Sequence, residues 1–133
     1  MKKKLKPKKR KITPLKNKLG KLMAILVKQR DKYICQRCLK DVSCNSRDCH
    51  ASHVIPTSQS LFLRFDIMNL KTLCSHCHLH WWHKDILAAR DWFAEKFPDR
   101  HEYLEERRHV IIKYTPECYD DMIELANIEL EKG

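Results

Sequence analysis

The chain has 133 residues, a formal net charge of +10 and seven cysteines. That length suits one compact domain plus a tail, and with a third of the residues charged the apolar core is small enough to need a staple. No apolar run approaches the roughly 20 residues a bilayer span requires, and none follows the lysines of 2–11 as a secretory leader would, so a cytosolic protein is the expectation.

The charge is concentrated at one end. Met1–Arg30 carries eleven Lys and two Arg with no acid before Asp31, while the remainder sums to −3. Residues 1–17, low in complexity and broken by Pro7 and Pro14, read as a disordered basic arm. Its lysines suit the phosphates of a nucleic acid, neutralised without regard to sequence. From Lys18 to Tyr33, Leu19, Leu22, Met23, Leu26 and Val27 recur at helical spacing and predict an amphipathic packing helix. Cys35–Cys49 is polar and turn-rich. Ala51–Pro56 reads as a short strand ended by Pro56, and Leu61–Phe65 as a loop or a second strand. Asn69–Cys74 leads into a helix expected from Ser75 to Phe97, stopped by Pro98, with Trp81, Leu87, Ala88, Trp92 and Phe93 along its apolar stripe. Beyond Arg100 two helical pieces are expected, broken near Thr115–Pro116. The second is acidic, and either folds back on the basic arm or serves as a dimer or partner surface.

Cysteine spacing carries the first chemical inference. With no leader the expected setting is a reducing cytoplasm, where cysteines are read first as metal ligands. Cys35-x2-Cys38 and Cys74-x2-Cys77 are two identical knuckles, and a two-residue gap turns both thiolates of a pair toward one tetrahedral ion. Together they predict a closed four-thiolate zinc site that ties the N-terminal knuckle to the start of the long helix. Cys44 and Cys49 are spare, with a second half-site as their alternative use, and Cys118 reads as an apolar residue.

Histidine supplies the second. Six of the eight histidines, His50, His53, His76, His78, His80 and His83, fall between residues 50 and 83. With zinc pinning the helix start against the preceding strand, His53 and His78 are brought together. Phosphodiester hydrolysis needs a neutral imidazole to deprotonate water and a divalent ion to stabilise phosphate charge. His53 suits the base and His78 the ligand of that ion, Mg2+ or Mn2+, at a helix N-terminus that favours phosphate. His76, His80 and His83, at i, i+4 and i+7, line one face of a regular helix as a stripe toward nucleic acid.

The series Cys35-x2-Cys38, Ser52-His53-Val54-Ile55-Pro56, Asn69-x4-Cys74-x2-Cys77-His78 resembles the HNH branch of the ββα-metal (His-Me finger) nucleases over about residues 33–85. Ser52–Asn69, with Arg64-Phe65-Asp66, is similar to the phage lambda NinG (Rap) recombination endonucleases. The resemblance implies His53 as general base, Asn69 as the brace that orients it and His78 as metal ligand. The implied reaction is cleavage to a 5′-phosphate and a 3′-hydroxyl, with branched recombination DNA as substrate, in the cytoplasm of a phage-infected host. Two positions depart from the pattern. Ser52 stands where many relatives place a second metal ligand, and Trp82 stands one helical turn after His78, where many carry another histidine. His50 is the candidate replacement ligand. Arg64 is either a phosphate clamp or a surface arginine, and Trp81 and Trp82 read as packing residues before base-stacking ones.

The expected architecture is therefore α+β. A zinc-stapled ββα-metal core (18–98) carries flanking helices, preceded by the disordered basic arm (1–17) and followed by a helical extension (99–133). The expected function is that of a metal-dependent DNA endonuclease, a homodimer if it resolves four-way junctions, which need two cuts. A zinc module that binds nucleic acid without cutting is the alternative.

Overall fold

Pro14 lies in the first turn of helix α1 (Thr13–Arg30), where a missing N–H costs no hydrogen bond. The computed structural model describes residues 10–133. Of the arm expected over 1–17, residues 1–9 lie outside the described residues, and Thr13–Asn17 belong to α1 instead. The helix buries Leu19 and Val27. Its end is bolted to the sheet: Asp31 accepts the Thr72 N–H at 2.8 Å, and Arg30 donates to the Ile67 and Leu70 carbonyls at 2.6 and 2.7 Å.

Two strands form the only sheet among the described residues, β1 (His50–His53) antiparallel to β2 (Leu70–Leu73), in the register His50↔Leu73 to His53↔Leu70. The strand expected at 51–56 is thus displaced to begin at His50. Its partner is β2, not Leu61–Phe65, where Ser60 Oγ caps a short helix α2 (Leu61–Arg64) by accepting the Leu63 N–H at 3.0 Å. All four residues of β2 are buried, so it lacks the alternation by which a half-exposed strand is read.

The long helix expected over 75–97 is broken. Cys77–Trp82 is π-helical, residues 83–85 turn, and α3 runs Ile86–Lys96. Pro98 does not merely stop a helix; it opens α4 (Pro98–Arg107). Thr115 then caps α5 (Pro116–Lys132), accepting the Cys118 N–H.

Two apolar clusters hold these elements. The larger gathers Val42, Val54, Leu63, Leu73, Trp82, Phe93 and Leu104 around the cysteine knuckles, so α4 packs on the same core as the sheet. The smaller joins α1 to α5 through Leu19, Phe65, Tyr119, Ile123 and Ala126. Of the alternatives for the acidic helix, the structure shows the fold-back: α5 lies along α1, and Arg10 forms a two-pronged ion pair with Asp120 at 2.6 and 3.0 Å. Among the described residues no helix is long and apolar enough to cross a membrane.

Candidate functional site

The four cysteines of the two knuckles converge, with their Sγ atoms all within 4.8 Å of one another. Cys38 and Cys74 Sγ are 3.7 Å apart, against about 3.8 Å for thiolates on a tetrahedral zinc with bonds of about 2.3 Å. Cys35, Cys74 and Cys77 are buried and Cys38 is exposed. Burial alone would raise the Cys35 thiol, but backbone bonds at Cys38, Cys74 and Arg37 outweigh it and hold the group at about 7. Burial pushes Cys77 up to about 12. Only a cation at the centre brings all four sulfurs to thiolates together. Leu39, just after the first knuckle, holds φ at 66°, a left-handed conformation costing a side chain roughly 1–2 kcal/mol. Asp48 clamps the second knuckle, accepting from Ser75 N and Oγ at 2.8 and 2.6 Å and from Lys40 Nζ at 2.6 Å. These contacts hold its carboxyl well below the usual range. Cys44 is exposed and Cys49 buried in the core, and among the described residues neither joins a metal-binding group.

The stapled turn faces β1 across a cleft of ≈ 240 Å³ lined by Ala51, His53, Pro56, Thr57, His78, Trp82, His83 and Ile86. His53 and His78 therefore share one cleft. His53 Nε2 lies 2.9 Å from the Arg64 carbonyl. A carbonyl only accepts, so the ring donates from Nε2 and keeps a free lone pair on Nδ1. Burial, reinforced by the charges of Lys71 and Arg64, moves its pKa below the ordinary 6.5, so the ring is neutral at pH 7.

The other imidazoles form a chain whose proton positions follow from its end. His50 Nε2 is 2.7 Å from the Arg47 carbonyl and so donates, leaving His50 Nδ1 as an acceptor. His78 Nδ1, 2.9 Å away, donates to it. His78 Nε2 then accepts from His83 Nε2 at 3.0 Å. Burial, with the neighbouring His83 and His50, lowers His78 to about 4. At metal–nitrogen bonds of about 2.1 Å, adjacent ligands of an octahedral ion stand about 3.0 Å apart. The spacing of His78 and His83 thus lets them share a proton or a metal ion. These two, and not His50, line the cleft with His53. His50 is placed to hold His78 from behind, as a carbonyl or carboxylate commonly holds a ligating histidine.

Asn69, fully buried, braces the loop between the strands. Its amide accepts from Ile55 N at 2.7 Å and donates to the Ile55 and Leu63 carbonyls at 3.0 and 3.1 Å. Leu63 is the neighbour of Arg64, so the brace reaches His53 through the carbonyl of the next residue. Arg64 accepts from His53 through its carbonyl; its side chain lies over the Phe65 ring, 5.3 Å from its centroid, and Arg64 lines a neighbouring cavity of ≈ 150 Å³ with His53 instead of the cleft shared with His78.

Residues 35–81 match the HNH endonuclease family. The match spans both cysteine knuckles, His53, Asn69 and His78, about a third of the chain. It ends two residues short of His83. Neither a curated protein nor a solved structure matches the chain.

Within the matched segment, Ser52 is buried, takes a hydrogen bond from Lys71 Nζ at 3.1 Å and does not line the cleft of His53 and His78. Sequence reasoning missed His83 because five residues from His78 is the wrong interval for an α-helix. The histidine stripe expected at 76, 80 and 83 is divided: His76 and His80 pair with ring centroids 5.5 Å apart, and His83 joins His78 at 4.7 Å. The crowding of histidines was the one signal that pointed to it. Trp82 is buried, and Trp81 packs between Arg37 and Trp92, so both indoles are packing residues. A larger apolar groove of ≈ 370 Å³ between α1 and α5 contains no imidazole.

Proposed function

We propose that the protein is a metal-dependent endonuclease that hydrolyses phosphodiester bonds of DNA in the cleft between β1 and the π-helical turn. The observation that carries this is the placement of His53, with its Nδ1 lone pair free, in the same cleft as the His78–His83 pair. His53 takes the proton of an attacking water at Nδ1, and the Arg64 carbonyl holds the ring in the tautomer this requires. Asn69 fixes the loop that presents the carbonyl. His78 and His83 hold a divalent ion, which when bound supplies charge stabilisation to the phosphate and leaving oxygen. Of Mg2+ and Mn2+, two imidazole donors favour Mn2+, since Mg2+ prefers oxygen ligands. The zinc knuckles hold turn and strand in place and take no part in the chemistry. The products are a 5′-phosphate and a 3′-hydroxyl.

The likeness of Ser52–Asn69 to recombination endonucleases supports a narrower proposal, that branched DNA is the preferred substrate and that the protein acts as a homodimer in a phage-infected cytoplasm. The test is nicking of supercoiled plasmid with Mg2+ or Mn2+ by the wild type beside His53→Ala and a chelator control, with a four-way junction in parallel. Cleavage that requires both the metal and His53 is expected. Tight binding with no nicking under any metal would leave a zinc-stapled binding module in its place.

A further inference from the structure

Lys71 is an anomaly in the core of this domain. It is fully buried, its Nζ donates to Ser52 Oγ at 3.1 Å, and it sits 3.2 Å from the centroid of the Trp82 ring. No carboxylate lies within hydrogen-bond reach among the described residues. A buried lysine without an acidic partner is among the least common features of protein interiors, since burying its charge costs several kcal/mol that a lone hydroxyl does not return. Its two contacts are the residues immediately before His53 and immediately before His83.

The second anomaly is the helix itself. An α-helix would put residue i+5 about 140° round the axis from residue i, and His83 would face away from His78. Here the His83 N–H bonds the His78 carbonyl at 3.2 Å, the i→i+5 pattern of a π turn, and the two rings meet. The π segment ends on Trp82, which is 2% exposed and lies face-down on Lys71. Trp82 and His83 both line the cleft beside His78, and both stand at the end of the same π turn. Burying the indole and turning His83 toward His78 are therefore one conformational choice.

We propose that Lys71 is the positioning residue that sets this register: its amino group, buried beneath the indole of Trp82, holds that ring inward and so brings His83 beside His78. The inference rests on the metal-pair reading of those two histidines, and it assigns to Lys71 the role of supplying the second ligand at one remove. It also accounts for Ser52. Where a metal ligand is expected next to the base, this chain keeps a hydroxyl that satisfies the buried amine, and it recruits its other ligand from the π turn.

The experiment uses the full chain carrying its structural zinc, with Lys71→Met, which keeps an unbranched apolar stem and removes the amino group, and His83→Ala. Ni2+ is titrated calorimetrically, and long-range 15N spectra of the imidazoles are recorded without Ni2+. The wild type is expected to bind one Ni2+, and both variants at least tenfold more weakly. The wild-type spectra are expected to show His78 protonated at Nδ1 and His83 at Nε2, a pattern that Lys71→Met loses while the Asn69 side-chain amide signals stay in place. Lys71→Met that binds Ni2+ as the wild type does, with the tautomers unchanged, overturns the assignment and leaves the metal pair standing. A wild type that binds no Ni2+ refutes the metal pair, and the tautomer spectra then decide the register by themselves. Lys71→Gln, which keeps the bond to Ser52, replaces the methionine variant if that one fails to fold.

Discussion

Removing the Asn69 amide tests whether the base is held by the loop brace. Asn69→Ala leaves the Ile55 N–H and carbonyl unpaired, since the amide is the partner of both, and deletes one bond to Leu63. The Leu63 carbonyl keeps the Asp66 N–H at 3.1 Å and is not orphaned. Two buried backbone groups at roughly 1–3 kcal/mol each, and about 1 kcal/mol for the third bond, give an expected loss of about 3–5 kcal/mol after partial relaxation. For a domain of this size that corresponds to a fall in Tm of roughly 10–20 °C. Asn69→Asp separates the donor from the acceptor. The carboxylate can still accept from Ile55 but faces two carbonyls with negative charge, so its pKa is raised and its stability improves as the pH falls. Thermal unfolding of both variants with zinc present, from pH 5 to 8, reads both effects. A loss below about 1 kcal/mol for Asn69→Ala, or a wild-type Tm for Asn69→Asp at pH 8, refutes the brace. In either case the His53 carbonyl partner would need another explanation.

Stripping zinc with a strong chelator should unfold the domain cooperatively, seen as loss of helix by circular dichroism, with Cys77→Ser reproducing it and the exposed Cys38→Ser doing so less completely; helix that survives chelation contradicts the staple. Because His53 must be neutral to act and burial lowers its pKa, the rate should fall as pH drops through a midpoint below 6.5, and a midpoint at 7 or above in a pH–rate profile would contradict the assigned base. Protein that keeps its structural zinc but has no divalent ion in the cleft should also lose stability as pH falls from about 6.5 toward 4. The depressed His78 is deprotonated in the fold, so its contribution is complete above the unfolded value and disappears on acidification, as a urea midpoint series would show. Deleting residues 1–9, which carry six lysines, should lower the slope of log K against log salt for duplex DNA by up to about 5; an unchanged slope removes the arm from binding.

The parts of this protein legible in one dimension are those whose chemistry depends on short intervals. Two Cys-x2-Cys knuckles specify a tetrahedral sulfur site whatever surrounds them, because the local turn alone aims each pair. Ser52-His53-Val54-Ile55-Pro56 and Asn69 ahead of the second knuckle marked the candidate base and its brace through the family resemblance they carry, α1 was evident from helical spacing, and the start of α5 from the break near Thr115–Pro116. What stayed hidden depended on long-range packing. The strand β2 is covered on both faces and shows no alternation. The ambiguous segment 61–65 became a helix because Ser60 caps it. The helix after the second knuckle changed to a π register because Trp82 is buried against a lysine eleven positions earlier in the chain. No periodicity along the sequence encodes that contact, and it alone carries His83 to His78. The chain by itself determined which imidazoles and thiols were available to the candidate site and where zinc would fasten them. Tertiary packing decided which imidazoles meet, because a single extra residue in one helical turn rotates everything beyond it.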